Sequence, residues 1–159
     1  LAGTDQTVPT LKQVLALVDG RVPLLVELKG ESFDTSLCAK VADLLRDYKG
    51  AYCLESFNPL LIGNMKKEFP EAFCGLLYTN VCREKKKKSA LNLALTAMAL
   101  NVVARPDFIA FDKADRDTLP VKITTQLFGA PKFVWTVRTK EELDTAHKNG
   151  ELPIFENIF

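Results

Sequence analysis

The stretch VPLLVELKG (residues 22–30) decides how the rest of the chain is read. Val22, Leu24, Leu25, Val26 and Leu28 follow in close succession, as in a strand buried on both faces. Its far end carries Glu27 and Lys29, opposite charges two residues apart. Side chains alternate along a strand, so these two share a face. That placement admits two readings. One is a structural ion pair at a strand end. The other is a phosphate site, in which the carboxylate holds a hard cation such as Mg²⁺ or Ca²⁺ and the ammonium neutralises a phosphate oxygen. Acid and lysine beside a metal suit phosphate ester chemistry.

Outward from this strand the pattern alternates. TLKQVLALVDG (10–20) reads as a helix, with Thr10 as N-cap, Gln13 as its capping-box partner and Gly20 as the stop. TSLCAKVADLLRDYKG (35–50) has helical spacing and ends in Gly50. AYCLESF (51–57) is a short strand, and NPLLIGNMKKEFP (58–70) a helix with Asn58 as cap and Pro59 in the first turn. AFCGLLYT (72–79), DFIAFDK (107–113) and KFVWTV (132–137) are strands. SALNLALTAMALNVVA (89–104), TLPVKITTQLFG (118–129) and TKEELDTAHKNG (139–150) are helices, the last bounded by Thr139, Glu142 and Gly150. Five strands separated by helical crossovers run parallel. The architecture is therefore α/β: an open doubly wound sheet, or part of a (β/α)8 barrel. No GxGxxG or GxxxxGK[ST] turn appears, which weakens a nucleotide-binding sheet. No linker divides the chain, so residues 1–159 are read as a single domain.

Composition narrows the function classes. The 159 residues are 47% hydrophobic and 26% charged, and the net charge of +1 supplies no global field for nucleic acid or a membrane surface. No apolar run is long enough for a membrane span, and LAGTDQTVPT at the start lacks the features of a signal peptide. The four cysteines have no CxxC spacing and there is one histidine, which argues against a Cys/His zinc site. Reduced cysteines and a cytoplasmic location are the expectation. The run REKKKK (83–88), with Lys85–Lys88, reads as a solvated loop or first helical turn, or as a phosphate-attracting patch.

Active sites in parallel α/β folds lie at the C-terminal ends of the strands. There stand Glu27 and Lys29, Glu55 and Ser56, Tyr78 and Thr79, Asp112 and Lys113, and Trp135, Thr136 and Arg138. Trp135 suits either a core role or an apolar substrate wall. Ser56 has no GxSxG elbow and no nearby histidine, which points to a capping or hydrogen-bonding role. Asp112 and Lys113 can pair in a loop, and His147 falls on the last helix, away from the strand ends.

Three stretches in order resemble the glycerophosphodiester phosphodiesterase family. VPTLKQVLALVDGRVPLLVELKG (8–30) resembles the family's Pro-Thr-Leu helix start and its strand ending in Glu-x-Lys. LESFNPLLIGNMKKEFPEAFCGLL (54–77) resembles the next two strands, and FVWTVRTKEEL (133–143) the last, with its Trp-Thr-Val. The resemblance implies a (β/α)8 TIM barrel, of which this chain gives about five βα units, strands four to eight. It implies hydrolysis of a glycerophosphodiester to glycerol 3-phosphate and an alcohol, with a divalent metal (Mg²⁺ or Ca²⁺) and a histidine pair as acid and base. Carried over, Glu27 is a metal ligand, Lys29 a catalytic lysine against the phosphate or metal-bound oxygens, and Trp135, Ser56 and Phe57 lie on the substrate side.

The sequence departs from the family pattern in two places. The His-Arg pair, the Glu-x-Asp metal pair and the second histidine are not among these residues, and the family's usual Gly-Val-Asp…Thr-Asp ending is replaced by NGELPIFENIF (149–159). The expectation is a barrel portion completed by a complementary chain or an N-terminal segment, inactive alone. The alternative is a non-catalytic βα domain retained for binding or assembly.

Overall fold

The computed structural model describes residues 3–30, 36–80 and 104–158. The lysine run, Cys82 and all but the last residue of the helix expected over 89–104 lie outside the described residues. In order, the elements are α1 (Leu11–Val18), β1 (Leu24–Glu27), α2 (Ser36–Arg46), β2 (Tyr52–Ser56), α3 (Pro59–Glu68), β3 (Cys74–Tyr78), β4 (Phe108–Asp112), α4 (Leu119–Lys122), β5 (Lys132–Val137), α5 (Lys140–Lys148) and β6 (Leu152–Phe155).

The helix signals read from the sequence are made in three dimensions. Gln13 N donates to the Thr10 hydroxyl at 3.3 Å while Gln13 Oε1 accepts from Thr10 N at 2.8 Å, a closed capping box. Asp19 and Gly20 then turn left-handed, at φ 48° and 71°, and end α1. Asn58 Oδ1 accepts from Leu60 N at 3.0 Å to start α3, and the Thr139 hydroxyl accepts from Glu142 N at 3.2 Å to start α5. Each such cap contributes about 1 kcal/mol.

All six strands are parallel and lie in sequence order, β1-β2-β3-β4-β5-β6. Both faces of the sheet are apolar. One face packs against the helices through Leu54, Leu76, Ile109, Phe111 and Val134. The other gathers Leu77, Phe108 and Ala110, with Cys53, Phe133 and Trp135 against them. Register places Glu27 beside Glu55, Glu55 beside Gly75, and Gly75 beside Phe108. These four positions form one row across four strands on this second face.

Two expectations are corrected. Among the described residues the strands number six, where about five, strands four to eight, are expected. The extra strand, β6, lies in the departing segment NGELPIFENIF and pairs with β5 through Phe133 beside Leu152 and Val134 beside Pro153. It is four residues long and contains a proline, features tolerated at a sheet edge that erase the usual strand signal. The helix expected over 118–129 is also broken: α4 runs four residues and a π-helical turn covers Ile123–Leu127. Thr124 Oγ1 donates to Pro120 O and Thr125 Oγ1 to Val121 O, both at 2.9 Å. Hydroxyls bonded back to the preceding turn compete for those carbonyls and disturb the helical ladder.

Gly75 has a packing reason to be glycine. A Cβ built there would lie 2.1 Å from the Phe108 ring. That ring is held between Phe73 and Phe133, with centroids 5.2 and 4.6 Å away, so it cannot swing aside. Gly75→Ala is therefore expected to destabilise by about 3 kcal/mol, read as a lower midpoint in chemical denaturation. Adding Phe108→Leu should recover part of the loss; an unaltered midpoint for Gly75→Ala would contradict the packing described.

Candidate active site

The C-terminal ends of β1 and β2 bring two glutamates to one face. Glu27 ends β1, and its Oε2 sits 3.2 Å from Lys29 Nζ. The lysine side chain is 79% exposed, so its ammonium is accessible from solvent. Strand parity puts Glu55 on the same face as Glu27, and register sets them side by side. Glu55 is only 5% exposed, and its Oε2 is buried without a hydrogen-bond partner. Burial first, and the neighbouring Glu27 charge second, push its carboxyl up to about 7.

The aromatic wall stands on the same face. Trp135 is the register partner of Asp112 at the end of β4, and its Nε1 is buried with no hydrogen-bond partner. The Phe57 ring meets Trp135 edge-on, with centroids 5.8 Å apart and planes at 82°, a favoured aromatic geometry. Phe57 remains 46% exposed, so one side of this pair faces outward.

Ser56 goes elsewhere. It is one residue from Glu55 and therefore points to the helix-covered face. It is buried; its hydroxyl donates to Leu28 O at 2.7 Å and accepts from Asn58 N at 3.0 Å. The structure thus places it as a clasp between β1, β2 and the start of α3, on the face opposite the glutamates. These contacts are the hydrogen-bonding role read from the sequence. Asp112 caps Ala114 N at 2.8 Å, Lys113 pairs with Glu142 across to α5, and His147 is exposed on α5. Neither Asp112 nor Lys113 pairs with the other as the loop reading allowed.

Glu55 is the residue that sequence reasoning passed over. It was visible as a strand-end acid, but nothing in the linear pattern said that it would be buried beside Glu27. The signal available was position: Glu27 and Glu55 each stand at the last or next-to-last place of adjacent strands, and the two are register partners.

No protein-family model matches the chain, and no curated protein matches its sequence. Solved structures do match. A phosphodiesterase from Oleispira antarctica in complex with the product sn-glycerol-3-phosphate superposes with a TM-score of 0.71 at 17% identity, covering 92% of this chain and 56% of that one. A protein assigned as a glycerophosphoryl diester phosphodiesterase from Silicibacter pomeroyi gives 0.68 at 18%, over 91% and 52%. A glycerophosphodiester phosphodiesterase from Agrobacterium tumefaciens gives 0.61 at 17%, over 94% and 58%. The fold is therefore that of a partial (β/α)8 barrel, and the face carrying Glu27, Glu55 and Trp135 is the barrel interior. More narrowly, it is the barrel fold found in glycerophosphodiester phosphodiesterases, and the chain spans about half the length of the structures it matches.

The burial of Glu55 has a measurable consequence. Between about pH 4.5 and 7 the folded protein keeps a proton on Glu55 that the unfolded chain has released. Stability from this group is full below that window and is lost as pH rises through it. In metal-free buffer, Glu55→Gln should gain on the parent by on the order of 3 kcal/mol between pH 4.5 and 8. Denaturant unfolding at the two pH values checks this, and parallel pH curves for the two proteins would exclude it.

Proposed function

We propose that this chain supplies the glutamate–lysine half of a centre that hydrolyses glycerophosphodiesters to glycerol 3-phosphate and an alcohol. The observation that carries the reading is the placement of the Glu27–Lys29 pair and of the Phe57–Trp135 pair at strand ends on one barrel face. The likeness to phosphodiesterase structures, one of them in complex with sn-glycerol-3-phosphate, supports it.

A divalent cation, Mg²⁺ or Ca²⁺, fits the residues present. Glu27 supplies hard carboxylate oxygens at a strand end, and the buried Glu55 Oε2 beside it lacks a partner. Among the described residues, no group of three or more His, Cys, Asp or Glu side chains is placed to hold a metal. Glu27 would hold the ion, which when bound supplies Lewis-acid polarisation of the phosphoryl group. Lys29, kept in place by Glu27, puts its ammonium against a non-bridging phosphate oxygen and offsets the charge that builds there. Phe57 and Trp135 form an apolar wall for the glycerol carbons.

In the reaction, water adds to phosphorus and the bond from phosphorus to the alcohol oxygen breaks. The attacking water loses a proton and the leaving alcohol gains one. The chain's one histidine, His147, is exposed on α5, and we assign the movement of these protons to the histidine pair that the resemblance places outside these residues. The sheet edges agree with a completing piece. Leu25 on β1 is 37% exposed, and Leu152 and Phe155 on β6 are 53% and 48% exposed. Bare apolar edge strands invite pairing, and we assign these edges to two further strands, from another segment or a second chain, that close the eight-stranded ring.

Glycerophosphocholine hydrolysis with Mg²⁺ tests the reading. These 159 residues alone should give no turnover, whereas the completed barrel should turn over. In the completed barrel, Glu27→Ala and Lys29→Ala should each lower kcat/KM at least about a hundredfold, the scale of lost transition-state charge stabilisation. No hydrolysis by the completed barrel would overturn the proposal in favour of a binding or assembly role.

A further inference from the structure

We infer that Glu55 is a second carboxylate ligand of the divalent cation held by Glu27. The inference rests on the reading of Glu27 as a metal ligand and adds a residue to it.

Three observations carry it. Glu27 and Glu55 are register partners on one face of adjacent parallel strands. Such strands are about 4.8 Å apart, a spacing at which two carboxylates can reach one ion with Mg²⁺–oxygen distances near 2.1 Å. Glu55 is 5% exposed, and its Oε2 is the sole buried carboxylate oxygen without a hydrogen-bond partner among the described residues. The other buried acids are satisfied: Asp115 accepts from Asn80 N at 2.7 Å and Glu151 from Arg116 at 2.8 and 2.9 Å. A buried carboxyl oxygen without a hydrogen-bond partner leaves its accepting capacity unmet and calls for a missing partner. The nearest cationic side chain on this face, Lys29, is already set against Glu27 and lies largely in solvent.

The neighbours of Glu55 supply no protein partner. Along its row come Gly75, which has no side chain, and the Phe108 ring that fills the space above it. The partner that fits this setting is therefore a cation approaching from the Glu27 side. The pair is the share of the shell that these residues supply, and oxygen ligands of this kind suit a hard divalent cation.

Mn²⁺ titration of the completed barrel without substrate, followed by electron paramagnetic resonance, tests this with Mg²⁺ as the competitor. Loss of an outer-shell partner alone weakens metal sites about tenfold or more. Glu55→Gln, which loses a ligand, should therefore weaken Mn²⁺ at least about tenfold, and Glu55→Asp should weaken it less. Thermal unfolding confirms that each variant folds, and Mn²⁺ should raise the parent's Tm more than that of Glu55→Gln. If Glu27→Gln weakens binding while both Glu55 variants match the parent, the inference fails and the Glu27 reading stands. If the parent binds no Mn²⁺, or binds it indifferently to all three substitutions, both fail.

Discussion

The parallel register of β1 on β2 is the constraint from which the site follows. It sets Glu27 beside Glu55 and carries the row on to Gly75 and Phe108. A slip of one residue would turn Glu27 and Lys29 toward the helices and bring Val26 and Leu28 to the barrel interior. The apolar pattern opposes that slip, because Leu28 is buried on the helix side while Val26 and Leu24 pack against the same core. The charges are thus held in the interior by the hydrophobic residues between them.

Alternation divides labour along single strands. On β2, Leu54 and Ser56 face the helices while Cys53 and Glu55 face the interior. Ser56 joins Leu28 O to Asn58 N and fixes the strand end from which Phe57 reaches Trp135. On the far side of the sheet, Asn80 N donates to Asp115 and links the segments after β3 and β4, while the Arg116–Glu151 pair links the segment after β4 to the one before β6. Removing one member of so buried a pair leaves its partner uncompensated. Scaffold and site are therefore alternate residues of the same segments, not separate regions.

Much of this architecture was legible. Thr10 with Gln13, Asn58 with Pro59, and Thr139 with Glu142 mark helix starts because a cap needs only residues close in sequence. The strand over Lys132–Val137 is found at its expected bounds. What escaped were cases where a local signal was countermanded. Pro153 hid β6, whose place at the sheet edge makes a missing N–H harmless. Thr124 and Thr125 broke a helix that the spacing of Val121 and its neighbours implied, because their hydroxyls found carbonyls a turn away.

The sequence by itself determined the alternation of strands and helices, their parallel sense, and the shared face of Glu27 and Lys29. These depend on periodicity and on short-range geometry, which a linear string carries. Only the tertiary structure decided that Glu55 lies buried beside Glu27, that Phe57 meets Trp135, and that Ser56 turns away from both. Those facts depend on register between strands some 28 residues apart and on the Phe108 ring that fills the space beside Gly75. Pairing across such distances is fixed by the packing of the whole sheet, and a residue's neighbours in the chain do not encode it.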